Sequence, residues 1–181
     1  MSTRAQADGG ATITLRLVLK NLVFTVLVPG TVAGVVPYQI VSRAGLPPLD
    51  AVRLVLAVPL AAVGLCGYIW CVWDFIVIGR ATPAPIDPPQ HLVARGLYRW
   101  VRNPMYVGVW LVVAAWALAF RSSAGLAYGV VVAVVCHLFV VGVEEPLLRR
   151  RFGAAYEAYY RAVPRWVPRP PHRPHGPDRG D

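Results

Sequence analysis

Residues 54–73, LVLAVPLAAVGLCGYIWCVW, run for 20 residues without a charged side chain. At ~1.5 Å per residue, a helix of that length covers about 30 Å, the thickness of the hydrocarbon core of a bilayer. Other apolar runs lie on either side. Residues 122–143 number 22, with His137 the only ionisable side chain. Residues 104–120 are 17 uncharged residues, at the short end for spanning. Residues 13–41 are apolar too, with Arg16 and Lys20 near the start and Pro29, Gly30 and Pro37 later. The pattern predicts an all-α integral membrane protein of about four transmembrane helices. The first run is long for a signal peptide and has no clear small-x-small site near its end, so it is read as a retained span.

Composition agrees. Of 181 residues 56% are hydrophobic and 15% charged, against about 25% charged in a soluble domain. Length suggests one domain. The net charge is +9, and its placement carries more than its size. With the N-terminus inside, 15 of the 18 basic residues fall on the inner face, and only Arg43, Arg53 and Arg121 fall outside. The positive-inside rule then puts both termini and the central basic loop in the cytoplasm, in what we expect to be a bacterial inner membrane. These charges lie beside membrane spans, so attraction to anionic lipid head groups accounts for them and nucleic-acid binding is not expected. Cys66, Cys71 and Cys136 all lie inside expected spans and are read as packing residues, and no Cys/His group has zinc spacing, so no metal is expected.

Along the chain we expect a polar tail at 1–12, two transmembrane helices within 13–79, a chemistry-bearing core at 80–163, and a disordered, basic, proline-rich tail at 164–181. The proline-rich stretch GRATPAPIDPP (79–89) reads as an irregular cytoplasmic connector. Arg121-Ser-Ser turns the third span into the fourth, making a hairpin. After Glu145-Pro146, residues Leu148, Phe152, Tyr156, Tyr159 and Val163 share one helical face opposite arginines, which predicts an interfacial amphipathic helix ended by Pro164. Gly30-xxx-Gly34 and Gly125-xxx-Gly129 are spaced for close helix packing, a pattern frequent by chance in such segments.

Residues 90–108, QHLVARGLYRWVRNPMYVG, are unlike an ordinary membrane anchor. They hold three arginines, three aromatic residues (Tyr98, Trp100, Tyr106), two glycines and a proline between two apolar runs. The adjacent carboxylates Glu144 and Glu145 stand at the far end of the next hairpin. A cationic, aromatic loop and a carboxylate pair at one membrane face can enclose a small polar ligand. The plainer alternatives are that Arg95, Arg99 and Arg102 set topology, that the aromatic residues form an interfacial belt, and that the glutamates end a span, with Arg149 four residues on as a partner. The belt reading is the better one for Trp100. Asp74 reads as an interfacial charge facing Arg80. His137 lies roughly on the face of the glutamates, and a neutral histidine bonded to another helix is favoured over a functional one.

The combined pattern is G-L-Y-R-W-V-R-N-P-M-Y-V-G, an apolar hairpin, then E-E-P-L-L-R-R-R-F-G-x-x-Y-x-x-Y. It resembles the integral-membrane methyltransferases related to isoprenylcysteine carboxyl methyltransferase and the phospholipid N-methyltransferases, over roughly residues 80–168. The resemblance implies S-adenosylmethionine as cofactor. It also implies a cofactor site drawn from Gln90, His91, Leu92, Val93, Gly96, Tyr98, Arg102, Asn103, Pro104, Tyr106, Glu144 and Glu145. Gln90 stands where the isoprenylcysteine branch has a histidine, with His91 displaced by one, and Asn103 replaces another histidine of that branch. Arg102 suits a carboxylate through two parallel hydrogen bonds, on the cofactor or in orienting the substrate. Tyr98 and Tyr106 suit a sulfonium through cation–π contact. Glu144 and Glu145 suit ribose hydroxyls or an ammonium. Arg102 and Glu145 are the expected catalytic residues, Glu145 as base or acceptor-orienting group. The implied partners are the bilayer and a lipid-like or small apolar methyl acceptor, whether amine, carboxylate or thiol. Two readings from other classes stand beside this one: a non-catalytic membrane protein recruiting partners through its basic tail, and a small transporter component using His137 and the glutamates.

Overall fold

The computed structural model describes residues 15–79 and 91–170. The expected polar tail at 1–12, the connector 80–89, Gln90 and residues 171–181 lie outside the described residues. Among the described residues every regular element is helical and none is a strand. Among the described residues, three helical stretches are long and apolar enough to cross a membrane: Leu17–Arg43, Ala51–Gly79 and Ser123–Phe152. A fourth apolar helix, Pro104–Ala119, has 16 residues.

The first stretch joins α1 (Leu15–Leu27) to α2 (Val36–Arg43) through a π turn at Thr31–Val35. The second is α3 (Ala51–Asp74), with Asp50 capping its start by accepting from Val52 N at 2.8 Å, followed by a π turn at Phe75–Gly79. Next come α4 (Pro104–Ala119) and α5 (Ser123–Phe139). A tight turn at Arg121 (φ 47°) separates them, and Ser122 Oγ caps α5 by accepting from Gly125 N at 2.9 Å. The α5 path continues through a π turn at Val140–Glu144 into α6 (Glu145–Phe152). Two of the π turns end with one residue between them and a proline, Pro37 and Pro146. The N–H of Val36 reaches Thr31 O, and the N–H of Glu145 reaches Val140 O. Proline lacks an N–H and crowds the carbonyl four residues back, so widening the preceding turn carries the helix past it.

α4 is the central helix. Met105, Gly108, Val109, Val113, Ala115 and Ala119 are all buried, against α3 on one side and α5 on the other. The closest approach is between Gly64 and Gly108. A Cβ built on either would sit 2.6–2.7 Å from the other's carbonyl oxygen. Close packing therefore belongs to this pair rather than to Gly30/Gly34, since nothing lies within 4 Å of a Cβ at Gly34. Outward-facing side chains such as Val55, Val63, Leu126, Val134 and Leu138 are exposed and apolar, as a lipid-facing surface requires.

The C-terminal region departs from the expected single amphipathic helix. The helix of the fourth span does not stop at the glutamates but continues to Phe152. Gly153, at φ 51° and ψ −126°, then redirects the chain into α7 (Ala154–Ala162). That backbone conformation is open chiefly to glycine, so helical periodicity across the position was misleading. The expected face survives the break, with Tyr156 and Val163 buried.

Candidate functional site

The basic loop is built onto the end of α3. Gly96 has φ +55°, and a Cβ there would lie 2.7 Å from Asp74 Oδ2 and 3.0 Å from Trp70 Nε1. Arg95 Nε donates to Asp74 Oδ1 at 3.2 Å. Asp74 is therefore a buried residue paired with Arg95; Arg80, its expected partner, lies outside the described residues. From Gly96 the chain makes one 3-10 turn, Gly96–Arg99, which drops Tyr98 into the core beside Tyr68, Cys71, Val93, Met105 and Val109. Burial pushes the Tyr98 phenol well above its usual value, so it stays neutral.

Residues 163–169 return across this loop as a strap. Arg102 N donates to Pro164 O at 2.8 Å, Arg169 N to Trp100 O at 3.0 Å, and Asn103 Nδ2 to Arg165 O at 3.1 Å. Tyr159 of α7 adds a hydrogen bond from its hydroxyl to Tyr98 O at 2.8 Å. The segment expected to begin a disordered tail at 164 is thus bound down as far as Arg169. Its prolines remove N–H groups that a helix would need, but they suit an extended strap.

Beneath the strap a charged cluster forms around Glu145, whose side chain is only 4% exposed. Arg165 grips it with two hydrogen bonds, Nε to Oε1 at 2.7 Å and Nη2 to Oε2 at 3.1 Å. Arg102, 7% exposed, places Nη1 3.3 Å from Oε1. Arg149 Nη1 is 4.0 Å from Oε2, and its Nε donates to Glu157 at 2.7 Å. The Tyr160 ring carries both the Arg102 and Arg149 guanidinium groups, at 3.9 and 4.4 Å from its centroid. Bonding to Glu145 pushes the Arg165 guanidinium up, so it remains charged. Three cations against Glu145 and Glu157 leave the cluster net positive. Arg102 Nε and Nη1 are buried with no hydrogen-bond partner. Buried donors of that kind are costly unless a ligand meets them.

Glu144 faces elsewhere, as adjacent helical residues must. Its Oε1 accepts from the Tyr106 hydroxyl at 2.7 Å. The Trp166 ring packs on Trp110 (centroids 4.6 Å apart) and against Tyr106 (6.4 Å). Its indole N–H donates to His137 Nδ1 at 3.0 Å, which puts the proton of a neutral imidazole on Nε2. His137 therefore bonds to the strap and not to another helix.

The expected residues thus fall into groups. Arg102 meets Glu145, and Tyr106 meets Glu144. Asn103 holds the strap, and Pro104 opens α4 at its first turn, where no N–H is needed. Gly96 seals the loop to α3. Tyr98 and Val93 are core, Leu92 is half-buried and His91 is exposed. Trp100, read as belt, is exposed. The residues that sequence reading left out of the site are Arg149, Tyr160, Arg165 and Trp166. A signal existed in the strap, where an arginine and a tryptophan stand together among prolines.

An all-helical membrane protein with a basic, carboxylate-centred cluster at one end of its bundle is the class that fold and site define. A family model for phospholipid methyltransferases matches residues 52–155. The chain belongs to that family and is an integral membrane methyltransferase. No curated protein and no solved structure matches it.

Proposed function

We propose that this protein transfers a methyl group from S-adenosylmethionine to a lipid-like or small apolar acceptor. The observation that carries the reading is Arg102: a buried guanidinium whose Nε and Nη1 make no hydrogen bond, with Nη1 in ion-pair range of Glu145 at 3.3 Å, in a cluster of net positive charge. Those donors fit the carboxylate of the cofactor's amino acid moiety. When bound, the cofactor supplies an electrophilic methyl carbon on a sulfonium. Arg102 would hold the carboxylate end, with the Tyr106–Glu144 pair as further contacts for hydroxyl or ammonium groups.

Displacement at a methyl carbon demands in-line positioning and exclusion of water. The strap supplies cover on the polar side. Trp166, Trp110 and Tyr106 supply an apolar wall between the glutamates and the outer surface of α5. Glu145, engaged by Arg165 and Arg102, is a hub of the cluster rather than a free base. Glu144, bonded only to Tyr106 among the described residues, is the better placed of the two to orient an acceptor or take its proton. The charge distribution favours a cytoplasmic site, with the cofactor arriving from the cytosol and the acceptor from the bilayer.

Titration of the detergent-purified protein with S-adenosylmethionine tests this. One site per chain is expected, and Arg102→Ala is expected to weaken it by roughly 2–5 kcal/mol, the cost of removing one partner of a buried charge pair. No binding to the parent protein, or unchanged affinity in Arg102→Ala, would overturn the assignment.

A further inference from the structure

Glu145 has two oxygens and three guanidinium groups around it, and the way they are shared is uneven. Arg165 takes both oxygens. Arg149 stands 4.0 Å off and gives its Nε to Glu157. Arg102 comes within 3.3 Å of Oε1 without making a hydrogen bond from Nε or Nη1. A buried guanidinium this close to a free carboxylate would turn to form the parallel two-bond pair, which is the preferred geometry of these groups. Arg165 already occupies that geometry. Its own place is set by the strap, whose backbone is bonded to Arg102 N and to the Asn103 side chain.

We infer that Arg165 is a positioning residue of the anion-binding site: by taking both oxygens of Glu145, it keeps the Arg102 donors available for a ligand carboxylate. The inference rests on the proposal that Arg102 receives the cofactor's carboxylate. Without the two-pronged contact from Arg165, Glu145 captures Arg102 and the site neutralises itself. Lysine at 165 preserves the charge but cannot span both oxygens, so charge and geometry can be separated.

The experiment measures S-adenosylmethionine affinity in detergent for the parent, Arg165→Lys, Arg165→Gln, Glu145→Gln, Arg102→Ala and the double variant Arg165→Lys/Glu145→Gln, each scored on its monodisperse fraction. Arg165→Lys is expected to weaken binding roughly tenfold or more, and Arg165→Gln at least as much. Glu145→Gln is expected to change binding in the parent by about twofold at most, because Arg165 already holds Glu145 there, yet to strengthen it several-fold in the Arg165→Lys background, because there it releases Arg102. Both backgrounds carry the same charge, so a purely electrostatic role predicts a shift of the same size in each, and that result overturns the inference. Unchanged affinity in Arg165→Lys also overturns it. If Arg102→Ala loses binding while Arg165→Lys keeps it, Arg102 retains its role and only the role of Arg165 fails. If Arg102→Ala binds as the parent does, the cofactor reading itself fails.

Discussion

Two buried carboxylates flank the same loop and are treated in opposite ways. Asp74, at the end of α3, takes one hydrogen bond from a half-exposed Arg95 and is sealed by Gly96, which leaves no space for a side chain. Glu145, at the start of α6, is ringed by Arg102, Arg149 and Arg165 and lies beside guanidinium donors with nothing to bond. The first pairs one carboxylate with one guanidinium, leaves Asp74 Oδ2 buried without a hydrogen bond against Gly96, and works as a rivet between loop and span. The second is overcharged and open, which is the arrangement of a site. A buried ion pair says little about function; a buried guanidinium with donors left over, in a cluster where three arginines meet two glutamates, says more.

Substitutions can break or sharpen that contrast. The largest expected effect is that of Arg102→Ala, with S-adenosylmethionine affinity falling by the 2–5 kcal/mol range typical of a severed buried pair while the protein stays extractable and monodisperse. Gly96→Ala comes next and acts on folding: positive φ and a 2.7 Å approach to Asp74 Oδ2 should together lower stability by about 2–4 kcal/mol, read as a fall in melting temperature in detergent. Asp74→Asn is expected to cost about 1–3 kcal/mol of stability through the weakened pair with Arg95, with affinity per folded molecule close to the parent's. If it abolished binding and left melting unchanged, Asp74 would belong to the site and the contrast would collapse. Glu144→Gln keeps an acceptor for the Tyr106 hydroxyl, so stability should move by less than about 1 kcal/mol. A drop in turnover on an identified acceptor, at constant cofactor affinity, would sort Glu144 from Glu145. Arg99→Ala, on an exposed side chain, should stay within about 0.5 kcal/mol of the parent in both measurements. An effect equal to that of Arg102→Ala would make both of them general electrostatics.

Much of the fold is legible because apolar runs report on a solvent that is the same everywhere along the span. Length and absence of charge marked the apolar helices after the first, and length with mostly apolar composition marked the first. The failures are local in cause. Helical periodicity continued through Gly153, and only its backbone angles show the break. Pro37 and Pro146 were visible, but the π turns that accommodate them depend on how far the surrounding helices let each turn widen. Small residues were visible at many positions. Which pair met was decided by the crossing of α3 and α4, at Gly64 and Gly108.

By itself, the sequence determined that the chain is helical and membrane-embedded, that its charge gathers at the ends of its spans, and that Arg102, Tyr106 and the two glutamates belong to one chemical pattern. Those features follow from composition, from spacing along a helix, and from motifs short enough to read in one stretch. Only the tertiary structure decided who pairs with whom. Spacing along the helix offered Arg149 to Glu145, four residues away, yet Arg165, 20 residues on, took both oxygens. The reason is physical: a residue in the strap reaches Glu145 only after Gly153 reverses the chain and α7 brings it back over the loop. Contacts made by such a return depend on every turn before them, and no local rule encodes them.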